Sequence, residues 1–453
     1  MQEYYKTVKS KLVDTTVTIA HPRVLLIAEA ANPDWSSVPL VGWLHSQAIA
    51  AQTNAHLVTQ SYNRDALLRA GWVEGEDFTG IDTSPIENRI YQISSWVRGG
   101  AGKGWTTVMA LSAFTYYYFE HLIWQQFDQR IVNREFDVVH RITPLSPTIP
   151  SLLAHKCHQV GVPFILGPLN GGLPWPKEFE AVRRQEKEWL SYIRWVYKLM
   201  PGYSSTRRHA AAIVLGSRDT WEQIPVQYRH KCVYIPENAI DPKRFTLQRT
   251  RQVSHPIKAI FVGRLVPYKG ADMLIEAATQ LIRDGLLTVE IVGDGPEMPK
   301  LKALVEREEI EGGVEFTGLI EHTRVQERLA NADLFVFPSI REFGGAVVIE
   351  AMVIGLVPIV VDYGGPGEFV TDSTGYTVPM GSRAELVARF RELLDRLVAD
   401  PSGFTEMSQR ARKRVLSQFT WDAKARQTVE VYRWVLGQRT DKPDFGMPLP
   451  DVE

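Results

Sequence analysis

Residues 332–355 read ADLFVFPSIREFGGAVVIEAMVIG, and this stretch contains a complete strand–loop–helix unit. The apolar run up to Pro338 predicts a β-strand. A short loop with two acids and two glycines follows, and residues 346–354 predict a helix. Ligands of open parallel sheets bind at the carboxyl ends of the strands, so we expect chemistry in this loop.

The two acids of the unit, Glu342 and Glu350, lie eight residues apart. In one continuous helix they would point about 80° apart and would not share a face. A break at Gly344 and Gly345 removes this restriction. Glu342 then lies in the loop and Glu350 on the second turn of the helix, so that both can reach one crevice.

Strand-like runs alternate with helical patterns along most of the chain. Short, nearly continuous β-branched runs between helices are typical of parallel sheets covered on both faces, which predicts an α/β fold. The predicted strands are 23–30, 56–61, 136–142, 163–170, 211–217, 258–265, 287–295, 313–320, 332–339 and 357–365.

A chain of 453 residues is long enough for two domains. Pro236 and Pro242 interrupt regular structure between the two series of strands, and we place the boundary there. We therefore expect an N-terminal domain over 1–235 and a C-terminal domain over 236–422.

Composition excludes some classes of function and location. With 51 basic and 52 acidic residues, no overall field attracts nucleic acid. Cys157 and Cys232 are too few for a disulfide framework, which agrees with a reducing cytosol. The first residues lack the apolar core of a secretory signal, and the apolar run 108–119 is too short to span a bilayer. We expect a cytoplasmic protein, with 108–119 in a buried or interfacial helix.

The strand–loop–helix unit is suited to a ligand with phosphate and hydroxyl groups. A helix N-terminus exposes backbone N–H groups to an anion, and carboxylates accept hydrogen bonds from hydroxyls. Arg264 and Lys269 follow another predicted strand and supply positive charge for a diphosphate. These features indicate a sugar nucleotide; the alternative is a capped surface helix with solvated acids and ordinary surface cations.

The order of motifs over residues 235–380 closely resembles the C-terminal domain of the retaining family 4 glycosyltransferases (group 1), which have the GT-B fold. The motifs are GRLVPYKG, VEIVGDGP, VEFTGLI, ADLFVFPS, REFGGAVVIEAM and VDYGGPGE, preceded by IPENAIDPKRF. The resemblance implies two Rossmann-like domains that face each other across a cleft. The nucleotide-sugar donor would bind mainly to the C-terminal domain, and a glycan or lipid-linked acceptor mainly to the N-terminal one.

The same resemblance assigns roles to residues of the unit. Glu350 would bind the ribose hydroxyls and Glu342 the hydroxyls of the donor sugar, while Arg264 and Lys269 would hold the diphosphate. The backbone amides that would face the sugar or phosphate are those of Phe343, Gly344 and Gly345. The family often has Glu-x-Phe-Gly, whereas here Phe343 comes first and Gly-Gly follows.

In the N-terminal half the resemblance is carried by shorter segments. PLVGWLHSQ follows the first predicted strand, and we expect it to be a glycine-containing loop that brings Gly42 to the donor phosphate, with His45 close by. FDVVHRITPLSP resembles the family segment with a histidine near the donor sugar, which makes His140 a candidate catalytic residue beside Arg264, Lys269 and Glu342. GPLNGG (167–172) either lines the acceptor side or is a simple Gly-rich turn.

At the C-terminal end the resemblance implies a helix over 423–440 that crosses back to the first domain. We expect the polar, Pro-containing tail 441–453 to be disordered.

Several patterns point away from metals and cofactors. RGGAGKGW (98–105) lacks the first glycine and the Ser or Thr of a P-loop. HKCH (155–158) has no convincing ligand spacing, and the chain contains no Asp-x-Asp. GDGPEMPKL has too few spaced glycines for a dinucleotide fingerprint. We expect no metal and no cofactor besides the donor substrate.

Residues 183–200 form an amphipathic pattern with basic residues on one side and apolar residues opposite. Such a helix can lie on an anionic membrane. The alternative is a helix that packs on the core with a solvated basic face.

The sequence thus predicts a retaining, metal-independent glycosyltransferase with peripheral membrane contact and a place in polysaccharide or glycoconjugate biosynthesis. A GT-B epimerase or phosphorylase would use a similar donor pocket for different chemistry. A non-catalytic sugar-nucleotide-binding protein is the alternative outside enzymes.

Overall fold

The computed structural model describes residues 21–85, 104–171, 173–185, 196–249, 251–447 and 449. These residues form two parallel β-sheets, each covered by helices, so the predicted α/β class is confirmed.

The first sheet occupies the N-terminal domain. Its described strands are β1 (Arg23–Ala28), β2 (Asn54–Gln60), β3 (Phe78–Ile81), β4 (Val138–Thr143), β5 (Phe164–Leu169), β6 (Ala212–Leu215) and β7 (Cys232–Tyr234). They lie in the order β3-β2-β1-β4-β5-β6-β7, and every pairing is parallel. The interior strand β1 is apolar and almost completely buried, as strands covered on both faces are.

The second sheet follows a long connection. Its described strands are β8 (Ile257–Val262), β9 (Leu287–Val292), β10 (Val314–Gly318), β11 (Leu334–Phe337), β12 (Val357–Val361) and β13 (Tyr376–Val378). They lie in the order β10-β9-β8-β11-β12-β13. The order reverses between β8 and β11, which is where an open α/β sheet leaves a crevice for a ligand.

All ten predicted strands are present, although their ends differ by a few residues. Three strands were missed, and each is at the end of a sheet: β3, β7 and β13. They have three or four residues and pair on one side only, so they carry little of the apolar pattern that identifies a buried strand.

Helices cover both sheets. Within the described residues they are α1 (Val38–Ala50), α2 (Arg64–Arg69), α3 (Gly104–Val132), α4 (Leu153–Gln159), α5 (Glu180–Gln185), α6 (Tyr203–His209), α7 (Arg218–Gln223), α8 (Ala271–Arg283), α9 (Met298–Arg307), α10 (His322–Ala330), α11 (Ala346–Ile354), α12 (Gly365–Phe369), α13 (Arg383–Ala399), α14 (Phe404–Gln418) and α15 (Trp421–Val435).

The helix boundaries follow from local chemistry. Helix α13 begins at a capping box in which Ser382 and Glu385 satisfy each other's backbone N–H groups. Helix α15 begins at Thr420, whose hydroxyl accepts the N–H of Ala423 over 3.1 Å. Helix α11 ends at Gly355, which has φ 104° and takes the left-handed conformation that closes many helices.

The chain crosses between the domains twice, and the two crossings lie side by side. Ile240, in the connection between the sheets, forms a parallel β-bridge with Thr420. Helix α15 then packs against α1 of the N-terminal domain. A helix from the C-terminal end of the chain thus completes the hydrophobic core of the first domain, since Ala425, Val431 and Tyr432 are buried there.

Part of the predicted disordered tail is ordered, and this expectation is corrected for residues 441–447. Pro443 and Met447 are buried, and Phe445 packs against the first domain. The polar, Pro-containing composition predicts disorder, but the apolar residues of the segment supply the burial that holds it.

Helix α3 includes the apolar run 108–119. Two residues of this run, Tyr116 and Phe119, are buried in the protein core. Among the described residues, no helix is both long enough and apolar enough to cross a membrane.

Candidate active site

A cavity of about 320 Å³ opens at the carboxyl ends of β8 and β11, where the strand order of the second sheet reverses. Val262 ends β8 and Phe337 ends β11, and both line it. Its full lining is Val262, Gly263, Lys269, Val325, Phe337, Glu342, Gly345, Ala346, Val347 and Glu350. The cavity therefore brings together four predicted site residues: Lys269, Glu342, Gly345 and Glu350.

The two carboxylates reach this cavity because the chain turns between them. Gly345 has φ 61° and ψ 34°, a left-handed conformation that glycine adopts without strain, and α11 begins at the next residue. Glu342 consequently lies in the loop, while Glu350 lies on the second turn of α11. A Cβ at Gly345 would also lie 3.0 Å from Pro366 Cγ, so the position is tight as well as left-handed.

Lys269 and Glu342 form an ion pair inside the cavity. The Lys269 ammonium donates to Glu342 Oε2, and the two side chains are 15% and 21% exposed. Burial lowers the pKa of Lys269 to about 8. The Lys269 Nζ also lies 5.1 Å from the centroid of the Phe337 ring. A cation and a hydrogen-bond acceptor thus lie next to each other and can bind neighbouring parts of one ligand.

Arg264 does not line the cavity. It follows β8 by two residues, so it lies at the same edge of the sheet, and it is exposed. Phe343 is 37% exposed, and its ring lies 5.2 Å from the Arg341 guanidinium carbon.

Gly344 packs against the connection between the domains. A Cβ at this position would overlap the side-chain amide of Asn238. In the sequence, Asn238 lies in the connection between the two series of strands, and no motif there predicts a role for it. No local pattern indicates that Asn238 touches the loop, because the contact joins two segments that are distant in sequence.

Comparison with known proteins agrees with this geometry. Residues 243–414, which include every residue of the cavity lining, match the family described as glycosyl transferases group 1. This part of the chain is a group 1 glycosyltransferase domain.

Among similar proteins, glycogen synthase of Mycobacterium tuberculosis is 31% identical over 224 residues, which are 49% of this chain and 52% of that protein. The chain spans about half the length of this relative. A Corynebacterium glutamicum protein, the GDP-mannose-dependent monoacylated alpha-(1-6)-phosphatidylinositol monomannoside mannosyltransferase, is 28% identical over 298 residues, 60% of this chain and 70% of that one.

The likeness to solved structures extends over both domains. The structure of Anabaena HepE in complex with UDP and glucose aligns with a TM-score of 0.52 and 18% identity, over 90% of this chain and 99% of that one. The group 1 glycosyltransferase domain is therefore the second half of a GT-B fold, as the sequence predicted.

The placement of Gly42 was wrong. PLVGWLHSQ is not a loop but part of α1, and Gly42 is buried inside this helix. A Cβ here would overlap the carbonyl oxygen of Ala30, so the glycine permits close contact between α1 and the segment after β1. A glycine shortly after a strand is typical of a turn, but Gly42 instead allows α1 to pack closely against the segment after β1.

His140 lies away from the cavity lining of the glycosyltransferase domain. It is fully buried in β4, where its Nδ1 is 2.7 Å from the Tyr432 hydroxyl and its Nε2 is 2.6 Å from the Gly167 carbonyl oxygen. The carbonyl can only accept, so Nε2–H donates to it and the Tyr432 hydroxyl donates to Nδ1. Burial lowers the pKa of His140 to about 4, which keeps the ring neutral. The nearby His45 lies on α1, and its Nε2 is 3.3 Å from the Thr428 hydroxyl. His140 therefore connects α15 to the first sheet, and His45 connects it to α1.

The GPLNGG segment makes a polar contact with the connection between the domains. The Asn170 side-chain amide donates to the Glu237 carboxylate, and burial raises the pKa of Glu237. The segment therefore contacts the connection between the domains.

The histidines of HKCH lie near a third one. The His155 and His158 rings are 4.6 Å and 4.9 Å from the His209 ring, centroid to centroid. In the described part of the chain, no group of three His, Cys, Asp or Glu residues is arranged to hold a metal ion. The predicted membrane-binding helix over 183–200 falls largely on residues 186–195, which lie outside the described residues.

Proposed function

We propose that the protein transfers a sugar from a nucleotide-sugar donor to a glycan or lipid-linked acceptor, with retention of the anomeric configuration. The observation that carries the proposal is the cavity at β8 and β11, where Lys269, Glu342 and Glu350 meet beside the start of α11. A cation, two acceptors and a helix N-terminus match a diphosphate that links two hydroxyl-rich groups.

In this proposal each group contacts a different part of the donor. Glu350 accepts hydrogen bonds from the ribose, and Glu342 accepts them from the transferred sugar. Lys269 holds the diphosphate with Arg264 at the rim, and the amides of Phe343, Gly344 and Gly345 face the sugar or phosphate. Since Lys269 and Glu342 are in contact, the diphosphate and the sugar must bind next to each other.

The proposed chemistry is carried by charge stabilisation. As the bond to the sugar breaks, negative charge grows on the departing diphosphate, and Lys269 and Arg264 stabilise it in place of a metal ion. A diphosphate oxygen takes the acceptor proton on the face from which it left, so the configuration is retained without an enzyme nucleophile. Gly42 and His140 have no part in this proposal, because one is packed within α1 and the other is held by Tyr432 and Gly167.

Two of the similar proteins support this choice of substrates. Anabaena HepE binds UDP and glucose, and the Corynebacterium relative acts on a phosphatidylinositol monomannoside. A sugar nucleotide donor and a glycan or lipid-linked acceptor agree with both.

The test is a thermal-shift screen of sugar nucleotides, followed by product analysis. A ligand at 100 times its Kd stabilises a protein by about 2.7 kcal/mol, which a melting curve resolves. We expect at least one sugar nucleotide to raise Tm and its sugar to appear on an acceptor with unchanged anomeric configuration. Epimerised or phosphorolysed donor would assign the other chemistry, and binding without turnover across an acceptor panel would indicate a binding protein.

A further inference from the structure

A short segment of the N-terminal domain reaches the donor side of the cleft. Residues 173–176, hereafter the Trp175 loop, follow β5 and have the sequence Leu-Pro-Trp-Pro. Trp175 is only 7% exposed although it lies in a loop. Its surroundings are supplied partly by the other domain.

Trp175 contacts two residues of the glycosyltransferase domain. Its ring meets the Tyr268 ring edge to face, with centroids 6.0 Å apart and planes at 89°. The Arg341 guanidinium carbon lies 4.6 Å from the Trp175 ring centroid, within the range of a cation–π contact.

These two contacts fall next to the two charged groups of the cavity. Tyr268 directly precedes Lys269, and Arg341 directly precedes Glu342. The Tyr268 carbonyl also accepts the N–H of Ile340 over 3.0 Å, which ties the two loops to each other. The positions of Lys269 and Glu342 therefore depend on where Tyr268 and Arg341 are held.

The Trp175 loop also touches the segment that supports Glu342 from behind. The Tyr363 hydroxyl donates to the Pro174 carbonyl over 2.7 Å. A Cβ at Gly364 would lie 2.9 Å from Leu173 Cδ2, and the Gly365 N–H donates to the Glu342 carbonyl over 3.2 Å. The Trp175 loop therefore contacts the surroundings of the Lys269–Glu342 pair at three places: Tyr268, Arg341 and the segment of Tyr363 and Gly364.

We propose that Trp175 is a positioning residue for the donor site: through Tyr268 and Arg341 it holds the loops of Lys269 and Glu342 in the arrangement that binds the diphosphate and the sugar. The inference rests on the proposed function for the identity of the ligand. The contact itself does not. It follows that the N-terminal domain, assigned to the acceptor, also contributes to donor affinity, because preorganised loops bind at lower cost in ordering.

The experiment compares Trp175→Ala with Trp175→Phe in the full chain. The matched control is Trp72→Phe, since Trp72 is 6% exposed in the same domain and meets Trp43 at 4.9 Å, away from the cavity lining. Amide hydrogen exchange is followed in peptides covering 264–270 and 339–346, with 23–28 as the internal reference. Affinities for UDP and for GDP are measured by calorimetry.

We expect W175A to speed exchange in both loop peptides but not in 23–28. It should also weaken nucleotide binding roughly tenfold, which lies between the sizes of an exposed and a desolvated cation–π contact. W175F should restore most of the affinity because it keeps a ring over Arg341, and W72F should match the wild type. Unchanged exchange in the two loop peptides of W175A would overturn the proposal. A lower Tm of W175A with unchanged nucleotide affinity would also overturn it. If the wild type binds neither nucleotide, either the donor carries another base or the proposed function is wrong. In both cases loop exchange alone decides whether Trp175 holds the loops.

Discussion

The substitution Lys269→Met tests the centre of the proposed mechanism, because methionine keeps much of the length of the side chain and removes its charge. A unit charge about 4 Å from a phosphate oxygen contributes roughly 4 kcal/mol at an effective dielectric constant near 20. Loss of one preorganised donor commonly costs a factor of about 10² to 10³ in turnover. We therefore expect Lys269→Met to reduce kcat by two to three orders of magnitude, or roughly 3–4 kcal/mol.

The fold should survive this change. Glu342 loses the ammonium but keeps contact with solvent, since its side chain is 21% exposed. A loss of about 1 kcal/mol lowers the Tm of a domain of this size by about 2–4 °C. Circular dichroism melting separates this effect from the loss of activity.

The assay is the initial rate of nucleoside diphosphate release with the sugar nucleotide that gives the largest thermal shift. Lys300→Met is the matched control, because Lys300 is 66% exposed on α9 and pairs with Glu297. It should retain full activity. Turnover of Lys269→Met within a few-fold of the wild type would refute the role of Lys269 in stabilising the diphosphate. The double variant with Glu342→Gln measures the coupling of the pair, which we expect to be non-additive because the two side chains are in contact.

Two further predictions concern contacts between segments that are distant in sequence. Burial raises the pKa of Glu368 from 4.5 to about 7, where its carboxylate accepts from the Tyr234 hydroxyl of the other domain. The folded protein therefore keeps a proton that the unfolded chain releases, and stability falls as pH rises from about 4.5 through 7. Glu368→Gln has no proton to release, so its free energy of unfolding should not fall in this pH range. Between pH 5 and 8 the difference in free energy of unfolding, variant minus wild type, should therefore rise by up to about 3 kcal/mol, measured by urea unfolding. A difference that does not change with pH would contradict the raised pKa of Glu368. Tyr432→Phe removes the donor to His140 Nδ1 in a fully buried site and should cost about 1–3 kcal/mol, measured by the same unfolding curves; an unchanged midpoint would show that the bond contributes nothing.

The sequence predicted much of the second domain and its cavity because the relevant signals are local. Glu342, the two glycines and Glu350 lie within one strand–loop–helix unit, and Lys269 follows the neighbouring strand β8. Strand order then brings these segments to one edge of the sheet. The acids, the glycines and the lysine follow these strands directly, so their positions in the sequence are enough to predict that they lie together.

The remaining features depend on contacts that no local pattern encodes. His140 is bonded to Tyr432, a residue 292 positions further along the chain, so its neutral, structural state could not be read from FDVVHRITPLSP. Trp175 contacts Arg341 across the cleft. In the sequence, nothing distinguishes this tryptophan from any other buried aromatic residue. Gly42 shows a different failure, since the same residue type serves turns and close helix packing.

The second crossing, bridged to the first at Ile240 and Thr420, returns the chain to the first domain, which is therefore discontinuous in sequence. Its core takes Ala425, Val431 and Tyr432 from the far end of the chain, so a fragment ending at the first crossing would expose the face that α15 covers. One proteolytic cut in the connection before β8 would leave the halves joined through the second crossing, and separating them would require two cuts. Any rotation of one half against the other must also bend both crossings together, because the bridge holds Ile240 and Thr420 side by side.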